Sequence, residues 1–354
     1  MEFGVSTLEM LGLNPEFWRG RSVFLTGHTG FKGSWLTLWL AHLGAKVHGY
    51  ALGEPTQPNI HSVANINSCL VSSTIGDVRD LVRLTDALRV ANPSLVIHMA
   101  AQPLVKESYR DPVTTFSTNV VGTVNVIEAA RGIDAVKAVI NVTTDKCYEN
   151  HNEGSPFSEE SRLGGQDPYS SSKACAELAT SAFRASFLNG SGMQLASVRA
   201  GNVIGGGDWA RDRLVPDFLR SVEANETLAV RSPDSIRPWQ HVLEPLSGYL
   251  ILGERLLSDT DGFAEAWNFG PEESDVRPVS WVVEFLSNEL PCARWQTDTS
   301  SQPQEAKVLK LDSSKAKARL GWIPRWSVDT ALAKTLEWHE AWRENQSMKE
   351  VSLG

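Results

Sequence analysis

Residues 22–33 read Ser-Val-Phe-Leu-Thr-Gly-His-Thr-Gly-Phe-Lys-Gly, and this stretch decides the fold class. Its first half is typical of a short buried strand, and its second half is a Gly-x-x-Gly-x-x-Gly loop. The segment that follows, about 31–43, is rich in Leu and Trp and stops at Gly44, a residue suited to a helix C-terminus. This order predicts a dinucleotide-binding unit, because glycines let backbone N–H groups approach a pyrophosphate at the positive end of a helix. A tight turn that needs glycine for its geometry alone is the alternative.

The rest of the first 200 residues alternates predicted strands and helices. Further strands are predicted at about 46–50, 70–75, 95–98, 136–142 and 194–199, with helices from about 79, at 112–131 and at 167–188. Strict alternation of this kind predicts an α/β fold with a doubly wound parallel (Rossmann) sheet. A glycine-rich stretch follows Ala200, so we place a domain boundary there. Residues 1–200, with a short N-terminal lead-in, would bind the dinucleotide. Residues 201–354 would form a smaller, mixed α/β substrate-binding lobe from which the chain could re-enter the large domain.

The composition narrows the class of protein. The chain has 354 residues, 42% of them hydrophobic, and a net charge of -9, which argues against a nucleic-acid or anionic-membrane surface. Its four cysteines are widely spaced without a Cys-x-x-Cys pair, so we expect reduced thiols and no metal site. The N-terminus lacks a signal-peptide pattern, and no apolar run approaches the roughly 20 residues of a membrane span. These features predict a cytoplasmic enzyme.

Two groups of chemistry-bearing residues lie close together in the sequence. Thr144, Asp145 and Lys146 follow a predicted strand, at the end where open α/β sheets bind their ligands. Tyr169 and Lys173 are four residues apart in a predicted helix and therefore share one of its faces. An ammonium beside the phenol, together with a positively charged nicotinamide ring, favours the phenolate, which could take the proton of a substrate alcohol. The alternative for Tyr169 and Lys173 is an ordinary surface pair on a helix.

Cofactor contacts are predicted at the ends of the other strands. Asp77 is a candidate for the adenine amino group, with capping of the next helix as the alternative, whereas His98 is expected to be a core histidine. The second strand runs into Tyr50 where an acidic residue for the adenosine ribose is expected, so NAD and NADP both stay open, and Lys32 could face a 2′-phosphate. The predicted cofactor-binding residues are Gly27, His28, Thr29, Gly30, Phe31, Lys32, Gly33, Asp77, Val78, Ala100, Ala101, Gln102, Asn119, Tyr169 and Lys173.

These motifs together resemble the extended short-chain dehydrogenase/reductase family, and the likeness covers nearly the whole chain. The Thr-Gly-x-x-Gly-Phe-x-Gly loop, Gly76-Asp77, the turn at 98–101, Thr144-Asp145 and Tyr169-x-x-x-Lys173 carry it. Longer runs at 145–148, 199–209, 213–216 and 236–241 are similar to the branch of that family whose 4,6-dehydratases act on CDP-glucose. The resemblance implies a substrate site that contains Asn202, Arg213, Leu214, Arg237 and Asn268. Arginines suit a pyrophosphate because their forked donors match its oxygens, although a structural salt bridge is the alternative for each.

The resemblance also implies a reaction. CDP-D-glucose would become CDP-4-dehydro-6-deoxy-D-glucose and water, with hydride passing from C4 to tightly bound NAD and back to C6. Tyr169, helped by Lys173 and Thr144, would take the 4-hydroxyl proton, and protonated Asp145 would donate to the leaving 6-hydroxyl. Lys146 would take the C5 proton if burial or nearby positive charge lowers its pKa. Pairing with Asp145 or with the substrate is the alternative for Lys146.

The family further implies a homodimer or homotetramer that serves deoxysugar biosynthesis, of the kind that supplies O-antigen polysaccharides. Two other functions stay open at this point. A sugar-nucleotide 4-epimerase or reductase on the same scaffold would need no acid/base pair at 145 and 146. A non-catalytic NAD-binding scaffold protein would not need to keep Thr144, Tyr169 and Lys173.

Overall fold

A computed structural model of the chain describes residues 13–258, 262–300 and 306–354. The first half alternates strands and helices almost without interruption. The strands are β1 Ser22–Thr26, β2 Lys46–Ala51, β3 Leu70–Ile75, β4 Leu95–His98, β5 Ala138–Val142 and β6 Gln194–Ala200. The helices are α1 Pro15–Trp18, α2 Phe31–His42, α3 Ile60–Val63, α4 Leu81–Ala91, α5 Val105–Arg110, α6 Pro112–Phe116, α7 Gly122–Arg131 and α8 Pro168–Phe183.

The second half has shorter strands. They are β7 Val203–Ile204, β8 Thr227–Val230, β9 Ile236–Pro238, β10 Gln240–His241, β11 Ala266–Phe269, β12 Val276–Pro278 and β13 Arg294–Thr297. The helices are α9 Leu214–Glu223, α10 Leu243–Ser258, α11 Val279–Glu289, α12 Ser314–Leu320, α13 Val328–Arg343 and α14 Met348–Leu353. None of the helices in the described ranges is both long enough and apolar enough to cross a membrane.

The central sheet has seven parallel strands in the order β11-β6-β5-β4-β1-β2-β3. Helices cover both of its faces, so β4 and β5 are buried at every residue, as strands of parallel sheets usually are. The predicted Rossmann sheet is therefore confirmed. The carboxyl ends of β1, β4, β5 and β6 lie along one edge of the sheet, and the loops that follow them form the candidate site.

The chain leaves the sheet after β6 and comes back to it through α10 and β11. The segment 203–241, called the excursion below, begins with β7 and ends with β10. Val203 and Ile204 pair with Gln240 and His241, so these two strands join the two ends of the excursion. The segment between them builds a second hydrophobic core with α11 and α13, in which Phe218, Trp239, Val283 and Leu332 are buried. β11 then pairs in parallel with β6 as the seventh strand.

Most element boundaries lie close to the predictions. β3 and β4 have the predicted ends, whereas β5 begins at Ala138 rather than at residue 136. The predicted helix at 112–131 is α6 and α7 joined by a π-helical turn, Ser117–Val121. The predicted helix at 167–188 is α8, followed by a π-helical turn to Leu188. In the predicted lead-in, α1 is described, and residues 1–12 lie outside the described ranges.

Candidate active site

Three candidate catalytic residues leave β5 together. The backbone N–H of Thr143 still donates to Val198 at 2.8 Å, which continues the pairing of β5 with β6. Thr144 then begins a short 3₁₀ turn, Asp145–Cys147, and its Oγ1 accepts from the N–H of Lys146. Thr144 Oγ1 also donates to Asp145 Oδ1 at 3.1 Å. This turn orients the side chains at 144–146 from the carboxyl end of the sheet.

Asp145 is buried, and one of its two carboxyl oxygens lacks a partner among the described residues. Oδ2 has no hydrogen-bond partner within the part of the chain that the structure describes. Burial raises the pKa of Asp145, although Lys146, Thr144 and Arg237 oppose this increase. A Cβ atom at Gly201 would lie 3.2 Å from Oδ2, so the glycine leaves room in front of the carboxyl group. Asp145 is therefore suited to hold a proton and to donate it to a ligand.

Tyr169 and Lys173 reach the same place from α8. Asp167 caps this helix by accepting from the N–H of Ser170 at 2.9 Å, and Tyr169 follows in the first turn. Burial raises the pKa of Tyr169 to about 12, although a hydrogen bond with Thr144 opposes the increase. Lys173 Nζ donates to the carbonyl of Val142 at 3.2 Å, and burial lowers the pKa of Lys173 to about 8. The structure thus brings together all five residues proposed as catalytic.

The glycine loop fits a dinucleotide. Gly27 has φ +78°, and a Cβ there would lie 2.8 Å from the backbone N of Ala100, so the loop passes close to the end of β4. A Cβ at Gly33 would overlap the carbonyl of Gly27. Gly30 caps α2 without a side-chain hydrogen bond, which leaves the first N–H groups of the helix available to an anion. The backbone therefore has the close packing and the open donors that a pyrophosphate needs.

Two polar side chains organise the loops beside this cradle. Asn119 lies in the π-helical turn, a type of distortion often found at functional sites. Its Oδ1 accepts from the N–H of Gln102 at 2.9 Å, and its Nδ2 donates to Ser172 Oγ at 2.9 Å. The N–H of Ala100 donates to Thr26 Oγ1 at 3.1 Å. Asn119 therefore ties the loop after β4 to the helix that carries Tyr169.

The residues at the far end of the cradle have other partners. Asp77 does not cap α4, because Asp80 is the capping residue. The carboxylate of Asp77 instead binds Arg79, with 2.6 Å between Asp77 Oδ2 and Arg79 Nη2. Val78 is buried against Gly122. His98, as expected, is a core histidine, and its ring nitrogens lie 2.7 Å from Thr26 Oγ1 and 3.2 Å from Thr123 Oγ1.

Side chains of the glycine loop point in different directions. The ring of His28 is buried, with Nε2 2.8 Å from Ser73 Oγ on β3, and Thr29 Oγ1 donates to the carbonyl of Leu52. Lys32 Nζ instead donates to Tyr249 Oη on α10 at 3.0 Å. Burial lowers the pKa of Lys32 to about 7, and Lys173 and Arg213 lower it further. Lys32 therefore lies on the side of the catalytic residues.

Two of the predicted substrate residues approach the catalytic group. Arg213 pairs with Asp208 at 2.8 Å, and it opposes the burial effect on the pKa of Tyr169. Arg237 is only 4% exposed and donates to the carbonyls of Ile236 and Lys307. Because Arg237 also opposes the increase in the pKa of Asp145, both arginines lie where they can act on the reacting end of a ligand.

The other predicted substrate residues are placed differently. Asn202 and Leu214 are half-buried, and the carbonyl of Asn202 accepts from Gln240 at the base of the excursion. Asn268 is fully buried: its Oδ1 accepts from Tyr148 Oη at 2.6 Å, and its Nδ2 donates to the carbonyls of Phe157 and Asp312. The side chain of Asn268 is therefore engaged by the protein on both of its polar atoms.

Sequence reasoning missed several residues near the site. Glu177, Arg199 and Tyr249 are buried beside or beneath the catalytic group, and none was singled out. Glu177 carries a readable signal, because it follows Lys173 by four residues on one helix. Tyr249 carries no such signal, since its contact with Lys32 joins positions far apart in the sequence. No group of three or more His, Cys, Asp or Glu side chains in the described ranges could hold a metal ion.

The chemistry available at this site is acid/base chemistry beside a dinucleotide. The phenol of Tyr169 is hydrogen-bonded to the hydroxyl of Thr144, and Lys173 lies one turn further along the same helix. The buried carboxyl group of Asp145 adjoins Lys146. Such a set can oxidise an alcohol and then eliminate a neighbouring group.

Comparison with known proteins agrees with this reading. The family model described as GDP-mannose 4,6 dehydratase matches residues 24–255. The chain is 50% identical over 342 residues to the CDP-glucose 4,6-dehydratase of Salmonella typhimurium, and the match covers 95% of both chains. It is 25% identical over 336 residues to a dTDP-glucose 4,6-dehydratase of Xanthomonas campestris pv. campestris, covering 89% of this chain and 92% of the relative.

Solved structures share the fold. A dTDP-glucose 4,6-dehydratase from Streptomyces venezuelae, solved with NAD bound, superposes with a TM-score of 0.78 at 22% identity, covering 92% of this chain and 99% of that one. A UDP-glucose 4-epimerase from Thermotoga maritima gives the same TM-score at 21% identity, covering 91% of this chain and 99% of that one. Dehydratases and epimerases therefore share this architecture, and the fold alone does not separate them.

Proposed function

The chain belongs to the extended short-chain dehydrogenase/reductase family of NAD-dependent nucleotide-sugar 4,6-dehydratases, and from that premise we propose that its substrate is CDP-D-glucose. The product is CDP-4-dehydro-6-deoxy-D-glucose, released with one water, so the enzyme is a hydro-lyase. The relative with 95% coverage and 50% identity supports the choice of cytidine over other nucleotides.

The cofactor of this family is NAD. The glycine loop, the uncapped start of α2 and the loop held by Asn119 suit its pyrophosphate and nicotinamide ends. NAD supplies the reversible redox chemistry between C4 and C6 of the sugar, so no net oxidation occurs. The remaining steps are proton transfers, and we assign them to the side chains of this chain.

We assign the first proton transfer to Tyr169. Its phenolate oxygen, stabilised by Lys173 and Thr144, takes the 4-hydroxyl proton of the glucose and becomes the phenol as the C4 hydrogen leaves as hydride for NAD. The pKa of Tyr169 is raised to about 12, chiefly by burial, so further stabilisation of the phenolate is needed at neutral pH. Lys173 is held for the task by its bond to the carbonyl of Val142.

We assign the elimination to Asp145 and Lys146. Oxidation at C4 acidifies the hydrogen on C5, and we propose that Lys146, in the 3₁₀ turn Asp145–Cys147, takes this proton. We propose that Asp145 protonates the 6-hydroxyl as it leaves, because burial favours the neutral carboxyl group and Oδ2 has no hydrogen-bond partner within the described ranges. We propose that Arg213 and Arg237, with Asn202, Leu214 and Asn268 around them, bind the rest of the nucleotide sugar.

The observation that carries this proposal is the open, buried carboxyl of Asp145 beside Lys146 and opposite Tyr169. An epimerase needs only the tyrosine and the lysine of α8. The test is to incubate the purified protein, without added reductant, with CDP-glucose deuterated at C4, and to follow the sugar by mass spectrometry. We expect the loss of one water with deuterium retained and moved to C6.

Each other outcome selects a different function. A product of unchanged mass that is the C4 epimer would replace the dehydratase by an epimerase. No reaction with CDP-, dTDP-, UDP- or GDP-glucose would leave a non-catalytic NAD-binding protein. Turnover of one of the other nucleotide sugars in preference to CDP-glucose would keep the reaction and change the substrate.

We further propose that two copies of the chain pair through α6, α7 and α8, as a homodimer or as half of a homotetramer. These helices and the π-helical turn between α6 and α7 expose apolar side chains, with Val113 78%, Val121 50% and Leu178 58% exposed. α8 packs against both α6 and α7. We expect Leu178→Glu to reduce the molar mass measured by light scattering, whereas Val90→Glu, on exposed α4, should not. A monomeric wild-type protein would contradict the proposal.

The substrate and cofactor are metabolites of the cytoplasm, and we propose that the enzyme works there. Its 4-keto-6-deoxy product is a precursor of deoxysugars, so we place the reaction in deoxysugar biosynthesis, with O-antigen-type polysaccharides as the proposed use.

A further inference from the structure

A buried carboxylate lies one helical turn beyond Lys173. Glu177 is 3% exposed, and three side chains donate to it. Thr143 Oγ1 donates to Oε1 at 2.5 Å, whereas Ser197 Oγ and Arg199 Nη2 each donate to Oε2 at 2.7 Å. Burial would raise the pKa of Glu177, but Arg199 and these hydrogen bonds outweigh that effect and lower it. Glu177 is therefore an anion in the protein interior.

The contacts of Glu177 join three elements at the catalytic edge of the sheet. They link α8 to the end of β5 through Thr143 and to β6 through Ser197 and Arg199. Lys173 donates to the carbonyl of Val142, the residue before Thr143. Val142 and Thr143, the two residues before Thr144, are thus each bound by a side chain of α8. Those two side chains, Lys173 and Glu177, lie one helical turn apart. These two bonds set the distance between the end of β5 and the face of α8 that carries Tyr169.

The ion pair continues into a larger network. Arg199 Nη1 donates to Tyr148 Oη at 2.9 Å, and the guanidinium lies 5.0 Å from the centre of the Tyr148 ring. Tyr148 in turn donates to Asn268 on β11. The network therefore spans the sheet from α8 to its last strand.

A fully buried ion pair that joins helices and strands carries a large desolvation free energy. Removing two charges from water costs several kcal/mol per ion, and apolar replacements are often neutral or more stable. The arrangement therefore calls for a role that an apolar pair could not provide. The position of the carboxylate relative to Lys173 supplies one.

Burial lowers the pKa of Lys173, and among its neighbours Glu177 and, to a smaller extent, Cys147 oppose this decrease. On α8, Tyr169 is a neutral phenol; after β5, Cys147 is a thiol whose pKa burial raises well above its usual value. His98 on β4 is neutral, and Lys32 on α2 carries the same sign of charge. Within the described ranges, Glu177 is the negative group of this set, and it is the largest influence opposing the effect of burial on the pKa of Lys173.

We propose that Glu177 is a positioning residue of the dehydratase: it anchors the end of β5 to α8 and keeps the Lys173 side chain a charged ammonium. This inference rests on the role proposed above for Lys173. Without the carboxylate, Lys173 would become neutral at lower pH, and Tyr169 would lose the charge that favours its phenolate.

The direct test is to titrate Lys173 by ¹³C NMR in protein labelled at the lysine ε-carbon, with its signal assigned from Lys173→Arg. We expect a pKa of about 8 in the wild-type protein. In Glu177→Gln it should be lower by about one unit, which would reduce the charged fraction at pH 8 about fivefold. The alkaline limb of the kcat profile should move to lower pH by the same amount, and Glu177→Asp should restore it in part. An unchanged Lys173 titration in Glu177→Gln would overturn the proposal.

Two further variants separate positioning from simple stability. Glu177→Gln leaves Arg199 unpaired and could prevent folding, so Glu177→Gln/Arg199→Met removes both charges at once. The double variant should lower the Lys173 pKa by less than Glu177→Gln does, because the positive charge of Arg199 is lost as well. Thr143→Val removes only the anchor to β5, and we expect it to lower kcat while leaving the alkaline limb in place. Thr335→Val, which removes a buried hydroxyl of α13 outside this network, is the matched control and should change neither. A loss of melting temperature in the first three of these variants with the wild-type titration retained would show a purely structural role.

The NMR titration needs no substrate. If the wild-type protein did not turn over CDP-glucose, the proposed function would fail, and the titration would still decide whether Glu177 holds the charge of Lys173.

Discussion

Asp145 and Lys146 are neighbours in the chain, and their surroundings suit them to opposite proton tasks. Asp145 points into the protein, where burial favours the form that carries a proton. Lys146 is half-buried and is the middle residue of the 3₁₀ turn Asp145–Cys147. One group can then give a proton while the other takes one, which is the usual way in which a site divides acid and base roles.

Tyr169→Phe removes the hydroxyl proposed to take the first proton and little else. We expect kcat to fall by about 10²–10⁴-fold, the usual contribution of a positioned acid or base. NAD affinity, measured by calorimetry, should stay unchanged because the ring remains in place. Tyr109→Phe is the matched control, since Tyr109 is 41% exposed and takes no part in the site. Full activity in Tyr169→Phe would remove Tyr169 from the mechanism.

Lys146→Ala should separate binding from elimination. We expect the variant to bind NAD and CDP-glucose but to lose the exchange of the C5 hydrogen with deuterated water, because no other side chain is proposed to take that proton. Exchange is measured by NMR of the recovered sugar. Lys137→Ala, at the opposite end of β5, should exchange normally. Turnover at the wild-type rate in Lys146→Ala would exclude the base role.

At the scale of elements, the cap of α8 links stability to catalysis. Asp167 accepts from both the N–H and the hydroxyl of Ser170, and Tyr169 stands in the turn that it caps. We expect Asp167→Ala to lower the free energy of unfolding by about 1 kcal/mol, as cap removal usually does, and to lower kcat as well. The free energy is measured by urea unfolding and kcat by the CDP-glucose assay.

A second cap provides the control for this prediction. Asp80 caps α4 by accepting from the N–H of Arg83 at 3.0 Å, and α4 carries none of the proposed site residues. Asp80→Ala should cost a similar free energy of unfolding with kcat unchanged. Equal losses of kcat in both variants would mean that the cap of α8 has no special link to Tyr169.

The local elements could be predicted because their signals are local. The alternation of strands and helices up to β6, the helix after the glycine loop and the start of α8 at Pro168 follow from apolar periods, glycines and caps within a few residues. The pairing of β11 with β6 could not be predicted, because the strand Ala266–Phe269 finds its partner across the whole excursion. The π-helical turn at 117–121 could not be predicted either, since its sequence continues an ordinary helix.

The residues of the candidate site likewise divide into those that local sequence signals reveal and those that depend on contacts between distant parts of the chain. Thr144, Asp145, Tyr169 and Lys173 could be chosen because each stands at a strand end or on a helix face that the sequence reveals. The direction of Lys32 depends instead on Tyr249, a contact between α2 and α10. The burial of Asn268 likewise depends on Tyr148. No periodic pattern in the sequence predicts a contact between residues so far apart.

At the scale of the whole molecule, buried histidines link stability to pH. Burial lowers the pKa of His28 to about 4 and the pKa values of His98 and His241 to about 3. The unfolded chain binds protons at these positions near pH 6.5, whereas the folded chain does not. Their contribution to stability is therefore complete above pH 6.5 and is lost as the pH falls toward 3 or 4. Buried acids with raised pKa values, such as Glu244, act in the opposite direction.

A single variant isolates one histidine from these opposing effects. His98→Asn keeps hydrogen-bonding atoms near Thr26 but does not titrate. Below pH 6.5 we expect the wild-type protein to lose stability relative to the variant by about 1.4 kcal/mol for each pH unit. Urea unfolding of both proteins between pH 7 and pH 5 measures the difference. A difference that stays constant over this range would contradict the prediction.

The short ladder between β7 and β10 has a consequence for how such an enzyme can change its substrate. It joins the two ends of the segment 203–241, which holds Arg213 and Arg237, and both ends meet at the catalytic edge of the sheet. The segment is therefore an enlarged loop of the last strand-helix-strand unit, β6-α10-β11, and no other strand of the sheet depends on its path. A lineage could lengthen, shorten or exchange this loop and so recognise a new nucleotide sugar, while the redox and acid/base groups on β5 and α8 are inherited unchanged.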